Sequence, residues 1–179
     1  MMYRPNVCAF LFNENVEFLG CLRIRSTYFQ TVQGGIEKED TDVLLAAYRE
    51  IDEEIGIKKD MLEFVQEILP PDGDPKTFRY TLAPKANLRR YGYIGQEQRI
   101  LLFFMKKAHI QHVNVVTPKE AGVPQEFERV EWMSMDQLRQ RCSPEKAHIF
   151  ALVAQLAPPI AQAYLRERHA PPADGIEAA

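Results

Sequence analysis

The chain has 179 residues, 46% of them hydrophobic and 26% charged, which suits one soluble domain with a sizeable core. Its formal net charge of −3 excludes a protein whose whole surface attracts nucleic acid, so any anion site has to be local. Three cysteines, Cys8, Cys21 and Cys142, are odd in number and lack metal-ligand spacing, a pattern of unpaired thiols in a reducing compartment. The opening "MMYRPNVCAF" breaks its apolar character after three residues, so no signal peptide is expected. No apolar run approaches the roughly 20 residues of a membrane helix. A cytoplasmic protein with no membrane partner is the expectation.

"NVCAFLFN" and "VEFLGCLRI" read as two strands of a hairpin turning at Asn13-Glu14-Asn15. A loop with the Gly34-Gly35 pair follows. From about Thr41 to Ile55, Leu44, Ala47, Ile51 and Ile55 recur at helical spacing. Asp40, Thr41 or Asp42 can cap that helix, and Gly56 suits the left-handed residue that ends it. "LEFVQEIL" reads as a strand and "PPDGD" as a loop. Residues 84–99 read as a long polar connection, with Lys85, Arg89, Arg90 and Arg99 against the single acid Glu97. "ILLFFM" and "RVEWM" read as strands and "MSMDQLRQR" as a short helix. A last helix from "SPEKAHIF" has to kink or end at Pro158-Pro159. The domain spans 1–169, and the tail 170–179 is expected to be disordered.

Glu50, Glu53 and Glu54 stand at i, i+3 and i+4, where like charges weaken a helix by about 0.2–0.5 kcal/mol per pair. They border the apolar face of that helix, where burial penalises bare carboxylates. A hard divalent cation removes the penalty, since Mg²⁺ prefers oxygen ligands and is commonly shared between carboxylates and substrate phosphates. Arg49, one turn before Glu53, can hold an acid in place.

"GGIEKEDTDVLLAAYREIDEEIGI" resembles the Nudix box: Gly, five residues, Glu, seven residues, then R-E-U-x-E-E-x-G-U with U apolar. Residues 49–57 match the second half at every fixed position. The first half departs. Counted from Gly35, the leading Glu falls on Thr41; counted from Gly34, it falls on Asp40, with eight residues before Arg49 instead of seven. One residue is inserted in "IEKED", and Glu39 or Asp40 is left to close the loop onto the helix, the role of that Glu in the family. The resemblance implies an α/β Nudix fold, a mixed β-sheet sandwiched between helices. It further implies a Mg²⁺-dependent hydrolase, with Mn²⁺ as a possible substitute, Glu50, Glu53 and Glu54 as metal ligands and Arg49 supporting them.

"YRPNV", "QGG", "RYTLAPK", "IGQEQRILLFF" and "PQEFERVEWMS" look like RNA pyrophosphohydrolases and asymmetrical diadenosine tetraphosphate hydrolases. The expected substrate is therefore 5′-phosphorylated RNA or a dinucleoside polyphosphate, not a DNA duplex. The resemblance places Glu126, ahead of Phe127 and Trp132, as catalytic base and further metal ligand, with Glu53 as the alternative base. Arg25, Arg79 and Arg99 can bind phosphate bidentately. Lys146 matches the lysine of an aromatic-Lys pair in the RNA enzymes, but Glu145 replaces the aromatic and Val32 replaces a proline before the glycines. Tyr28 or Phe29 remains as a stacking ring. A rival of another class is a Nudix domain that binds nucleotide or RNA without cutting it. His109 and His112, placed on a strand end, point to opposite faces and make a poor metal site.

Overall fold

In the computed structural model, which describes residues 2–117 and 122–170, eight strands form one mixed sheet flanked by three α-helices. Of the expected tail, 170–179, residues 171–179 lie outside the described residues. β1 (Tyr3–Phe12) and β2 (Phe18–Arg23) make the expected hairpin, followed by the short β3 (Phe29–Gln30) and β4 (Val32–Gly35). Helix α1 (Val43–Ile55) leads to β5 (Glu63–Ile68), β6 (Arg79–Thr81) and β7 (Gly95–Phe104). β8 (Phe127–Met133), α2 (Met135–Arg141) and α3 (Ala147–His169) complete the chain.

The sheet runs β3-β2-β1-β7-β5, with β4 paired to β1, β6 to β7 and β8 to β2. β1 and β7 are parallel from Tyr3 opposite Gly95 to Phe12 opposite Phe104. Side chains on a strand alternate between faces. Cys8, Phe10 and Phe12 of β1, with Ile100, Leu102 and Phe104 of β7, therefore pack under α2 and α3. Val7, Ala9 and Leu11, with Leu101 and Phe103, pack under α1. Both faces are covered, which is why these strands read as unbroken apolar runs.

α1 begins where the Asp42 carboxylate accepts from the Leu45 N–H at 2.9 Å and ends at Gly56, whose φ of 69° is left-handed. Ala46, Ala47, Ile51 and Ile55 bury its apolar face. Three local expectations are corrected. The polar connection ends at Ile94, because "GQEQR" already belongs to β7; Asn6 donates to Gln96 at 2.8 Å, and Gln98 donates to Asn6 at 2.9 Å and Gln33 at 2.6 Å. Side-chain hydrogen bonds let these polar residues sit inside a sheet.

α3 runs unbroken through Pro158 and Pro159. Neither proline can donate to the carbonyl four residues before it, Ala154 or Gln155, but Ile149, Phe150, Val153, Ala157, Ala161 and Leu165 hold the inner stripe of the helix in the core on both sides of the pair. By length and a mean hydropathy of 1.2, Pro144–His169 could cross a membrane; here that apolar content is the stripe packed on the sheet. Lastly, His109 and His112 lie on a 3-10 turn (Lys107–His112), where residues three apart eclipse. Their rings are 5.8 Å apart on one side.

Candidate active site

The start of β1, the end of β2, β4 and β6 meet α1 and the turn before α3 around a cleft of about 700 Å³. Its floor is polar and tied together: beside the Asn6–Gln96–Gln98 bonds, Gln96 donates to the Tyr80 hydroxyl. Four carboxylates, Glu50, Glu54, Glu126 and Glu145, line the cleft with four cations, Arg4, Arg23, Lys85 and Lys146. Such a mixture suits a phosphate chain only if something positive stands between it and the acids.

Glu50 and Glu54 are brought in by α1, and Glu126 by the strand entry one residue before β8, where its carbonyl accepts from the Ile24 N–H at 3.1 Å. Gly34 makes room for Glu50: a Cβ there would lie 1.9 Å from the Glu50 Cδ. At Gly35 it would lie 2.0 Å from an Arg4 guanidinium nitrogen. Gly34→Ala is therefore expected to displace the Glu50 carboxylate by about an ångström and lower kcat about 10²-fold while the circular dichroism spectrum stays native.

Arg49 lies behind the cleft and anchors the glycine loop. It donates to the Gly35 carbonyl at 3.0 Å, to Asp40 at 2.9 Å and to Glu50 at 2.7 Å, and its guanidinium lies 3.7 Å from Glu53. Asp40 also accepts from the Glu37 N–H at 2.8 Å, whereas Glu39 is exposed. Asp40 thus closes the loop onto the helix, and the extra residue is absorbed in the turn before it. Hydrogen bonding to Arg49 holds the Asp40 carboxyl below its ordinary pKa, although burial opposes.

Burial pushes Glu50 up to about 7 despite Arg49 beside it. Burial pushes Glu54 well up too, reinforced by Glu50 and Glu126. One Glu54 carboxylate oxygen is buried with no hydrogen-bond partner. Buried acids with an orphaned oxygen are groups short of positive charge. Among the described residues no three acids, histidines or cysteines are already gathered into a metal cage, and Glu50 is bonded to Arg49. The donor set is all oxygen, the preference of Mg²⁺, Mn²⁺ and Ca²⁺. These residues fit a hard divalent cation.

Lys146 is 4% exposed; its Nζ donates to Gln30 at 3.1 Å and lies 4.9 Å from the Tyr80 ring centre. Burial lowers its pKa to about 8. Of the residues singled out in the sequence, Gly34, Gly35, Glu50, Glu54, Glu126 and Lys146 line the cleft. Glu53, its side chain 46% exposed, lies outside the lining. Arg25 is exposed in the turn after β2, with φ of 56°. Arg79 is paired to Glu97 at 2.6 Å and stacked on Tyr3, and Arg99 is paired to Glu67 at 2.6 Å. Arg4 and Arg23 line the cleft in their stead, from strands whose ends meet only in the fold. Phe29 is buried in the core, and Tyr28 is 45% exposed.

A mixed sheet between helices in this arrangement is a fold seen in solved structures. The fold is similar to a Caenorhabditis elegans Ap4A hydrolase, with TM-score 0.51 and 12% identity over 90% of this chain and 98% of that one. It is also similar to the NUDIX domain of Shewanella oneidensis NrtR, with TM-score 0.54 and 12% identity over 92% and 90%. The family model described as NUDIX domain matches residues 2–153. An RNA pyrophosphohydrolase of Roseobacter denitrificans is 33% identical over 84% of this chain and 89% of its own length. The RNA pyrophosphohydrolase of Campylobacter jejuni is 28% identical over 84% and 90%. The chain belongs to the Nudix family, whose hydrolases use divalent metal ions.

Proposed function

We propose that the chain is a Mg²⁺-dependent RNA 5′ pyrophosphohydrolase, converting 5′-triphosphorylated RNA and water to 5′-monophosphorylated RNA and pyrophosphate. The observation that carries the reading is the cleft itself, where Glu50, Glu54 and Glu126 face Arg4, Arg23, Lys85 and Lys146. The relatives named RNA pyrophosphohydrolase support the choice of substrate. All three thiols are buried and unpaired, as a reducing cytoplasm allows.

Glu50 and Glu54, with Glu53 from the adjacent rim and Glu126 from the facing loop, would hold the cation. Bound there, Mg²⁺ (or Mn²⁺ in its place) would supply Lewis-acid neutralisation of phosphate charge. Arg4, Arg23 and Lys146 bind and orient the phosphate oxygens, so little freedom is left to lose at the reaction. Glu126 takes the proton from the attacking water at a carboxylate oxygen, with Glu53 as the alternative base. Arg49 keeps Glu50 and the Gly34-Gly35 strand in register.

A thermal consequence separates this reading from a simple acidic surface. Glu50 is held up to about 7, so between about pH 4.5 and 7 the folded protein binds more protons than the unfolded chain, and Glu54, pushed up by burial as well, acts in the same direction. Metal-free protein is therefore expected to lose stability as pH rises through that window, by on the order of 2–3 kcal/mol. Mg²⁺ is expected to restore the loss at pH 8. A melting series at pH 5 and pH 8, with EDTA or with Mg²⁺, checks both signs; a Tm that ignores Mg²⁺ at pH 8 contradicts the metal assignment.

The substrate choice is tested by competition. Equimolar 5′-triphosphorylated RNA and diadenosine tetraphosphate are mixed with the protein and Mg²⁺, and both products are followed. Faster conversion of the RNA supports the reading. Cleavage of the dinucleotide alone overturns it.

A further inference from the structure

Residues 82–94, "LAPKANLRRYGYI", carry Lys85, Arg89 and Arg90 and no acid, in a chain of net charge −3. Lys85, Ala86, Asn87 and Leu88 form one wall of the cleft. The 3-10 turn Asn87–Tyr91 then leaves that wall and carries Arg90 and Tyr91 outward. Arg90 is exposed, and Tyr91 is 77% exposed.

The segment is held in shape from inside. Arg89 donates to the Leu82 carbonyl at 2.6 Å, which uses one of the three cations structurally; Lys85 stays exposed in the cleft wall and Arg90 exposed beyond it. Gly92, with φ of 85°, returns its N–H to the Arg89 carbonyl at 3.1 Å. At its ends the Leu82 N–H reaches Ile94 at 2.8 Å, and the Ile94 N–H reaches Met2 at 2.7 Å. A solvent-facing tyrosine on a pinned turn, preceded by an exposed arginine and continuous with the cleft wall that carries Lys85, has the make-up of a single-strand nucleic-acid surface. There cations follow the backbone and aromatic rings stack on bases.

We propose that Lys85, Arg90 and Tyr91 form a track for the nucleotides downstream of the processed 5′ end, so that the protein grips an RNA strand and not its terminal phosphates alone. The proposal rests on the RNA reading above. It commits to single-stranded RNA because the segment is uniformly cationic and its exposed ring can accept any base.

The test uses the full chain and the double variant Arg90→Glu/Tyr91→Ala. Hydrolysis is measured on a two-nucleotide and a ten-nucleotide 5′-triphosphorylated RNA. Binding of the longer RNA in its 5′-monophosphate form is measured by fluorescence anisotropy, with a polyaspartate peptide as competitor. The wild type is expected to show lower KM on the longer RNA. The variant is expected to lose about tenfold in binding and in kcat/KM on the longer RNA alone, with a shallower salt dependence. Equal loss on both lengths, no effect on either, or polyaspartate displacing RNA at matched charge overturns the track. Binding that depends on Arg90 and Tyr91 without hydrolysis supports the track and overturns the function above. Hydrolysis indifferent to length does the reverse.

Discussion

Glu54→Gln is expected to lower kcat on 5′-triphosphorylated RNA by about 10³-fold, equivalent to roughly 4 kcal/mol of transition-state stabilisation. The substitution preserves volume and removes only the ability to carry charge. Glu54 lies in the cleft with an unpartnered, buried carboxylate oxygen, so the fold gains nothing from its charge. The metal-free variant is accordingly expected to melt no earlier than wild type at pH 8, and later if burial of the charge dominates. Its Mg²⁺-induced rise in Tm is expected to shrink sharply. Loss of turnover with an intact fold and a lost metal response distinguishes a ligand from a structural acid. Wild-type kcat in this variant would remove Glu54 from the mechanism.

Arg49→Ala is expected to lower kcat/KM by about 10²-fold and stability by about 2 kcal/mol, near 5 °C in Tm for a chain of this size. The reason is the number of groups that converge on one guanidinium. Gly35 loses its carbonyl partner, Asp40 its ion pair at 2.9 Å and Glu50 its contact at 2.7 Å. The acids that remain repel each other with no cation behind them. Arg49→Lys keeps the charge but cannot fork between Asp40, Glu50 and a carbonyl, so it recovers only part of either loss. Steady-state kinetics and thermal melts on the pair check the split, and Arg49→Lys matching wild type would show that charge alone suffices.

Much of this was legible from residue order because the carrying signals are local. Asp42, the apolar stripe through Ile51 and Ile55, and Gly56 mark α1 within a single turn of its ends, and the acids on its rim come with it. What escaped depends on contacts between distant residues. β7 hid its first five residues because Gln96 and Gln98 are paid for by Asn6 and Gln33, some 90 and 65 positions away. Arg4 and Arg23 could not be told from other arginines, since only the sheet brings the start of β1 to the end of β2. Arg79 and Arg99 looked equally suited to phosphate, yet each has a carboxylate within 2.6 Å.

The inserted residue shows the opposite limit. Spacing alone left Glu39 and Asp40 equivalent as closures of the glycine loop. The turn exposes Glu39 and gives Asp40 both an arginine and a backbone N–H. A motif can therefore be broken in register and intact in space, because what it encodes is a set of contacts.

The most direct measurement is end analysis of 5′-triphosphorylated RNA incubated with the full chain in Mg²⁺ and, separately, in EDTA. 5′-Monophosphorylated RNA and pyrophosphate are expected in Mg²⁺, and unchanged triphosphate in EDTA. RNA that stays triphosphorylated in Mg²⁺ while bound to the protein would contradict the hydrolase reading, leaving a binding domain that kept its acidic helix without the chemistry.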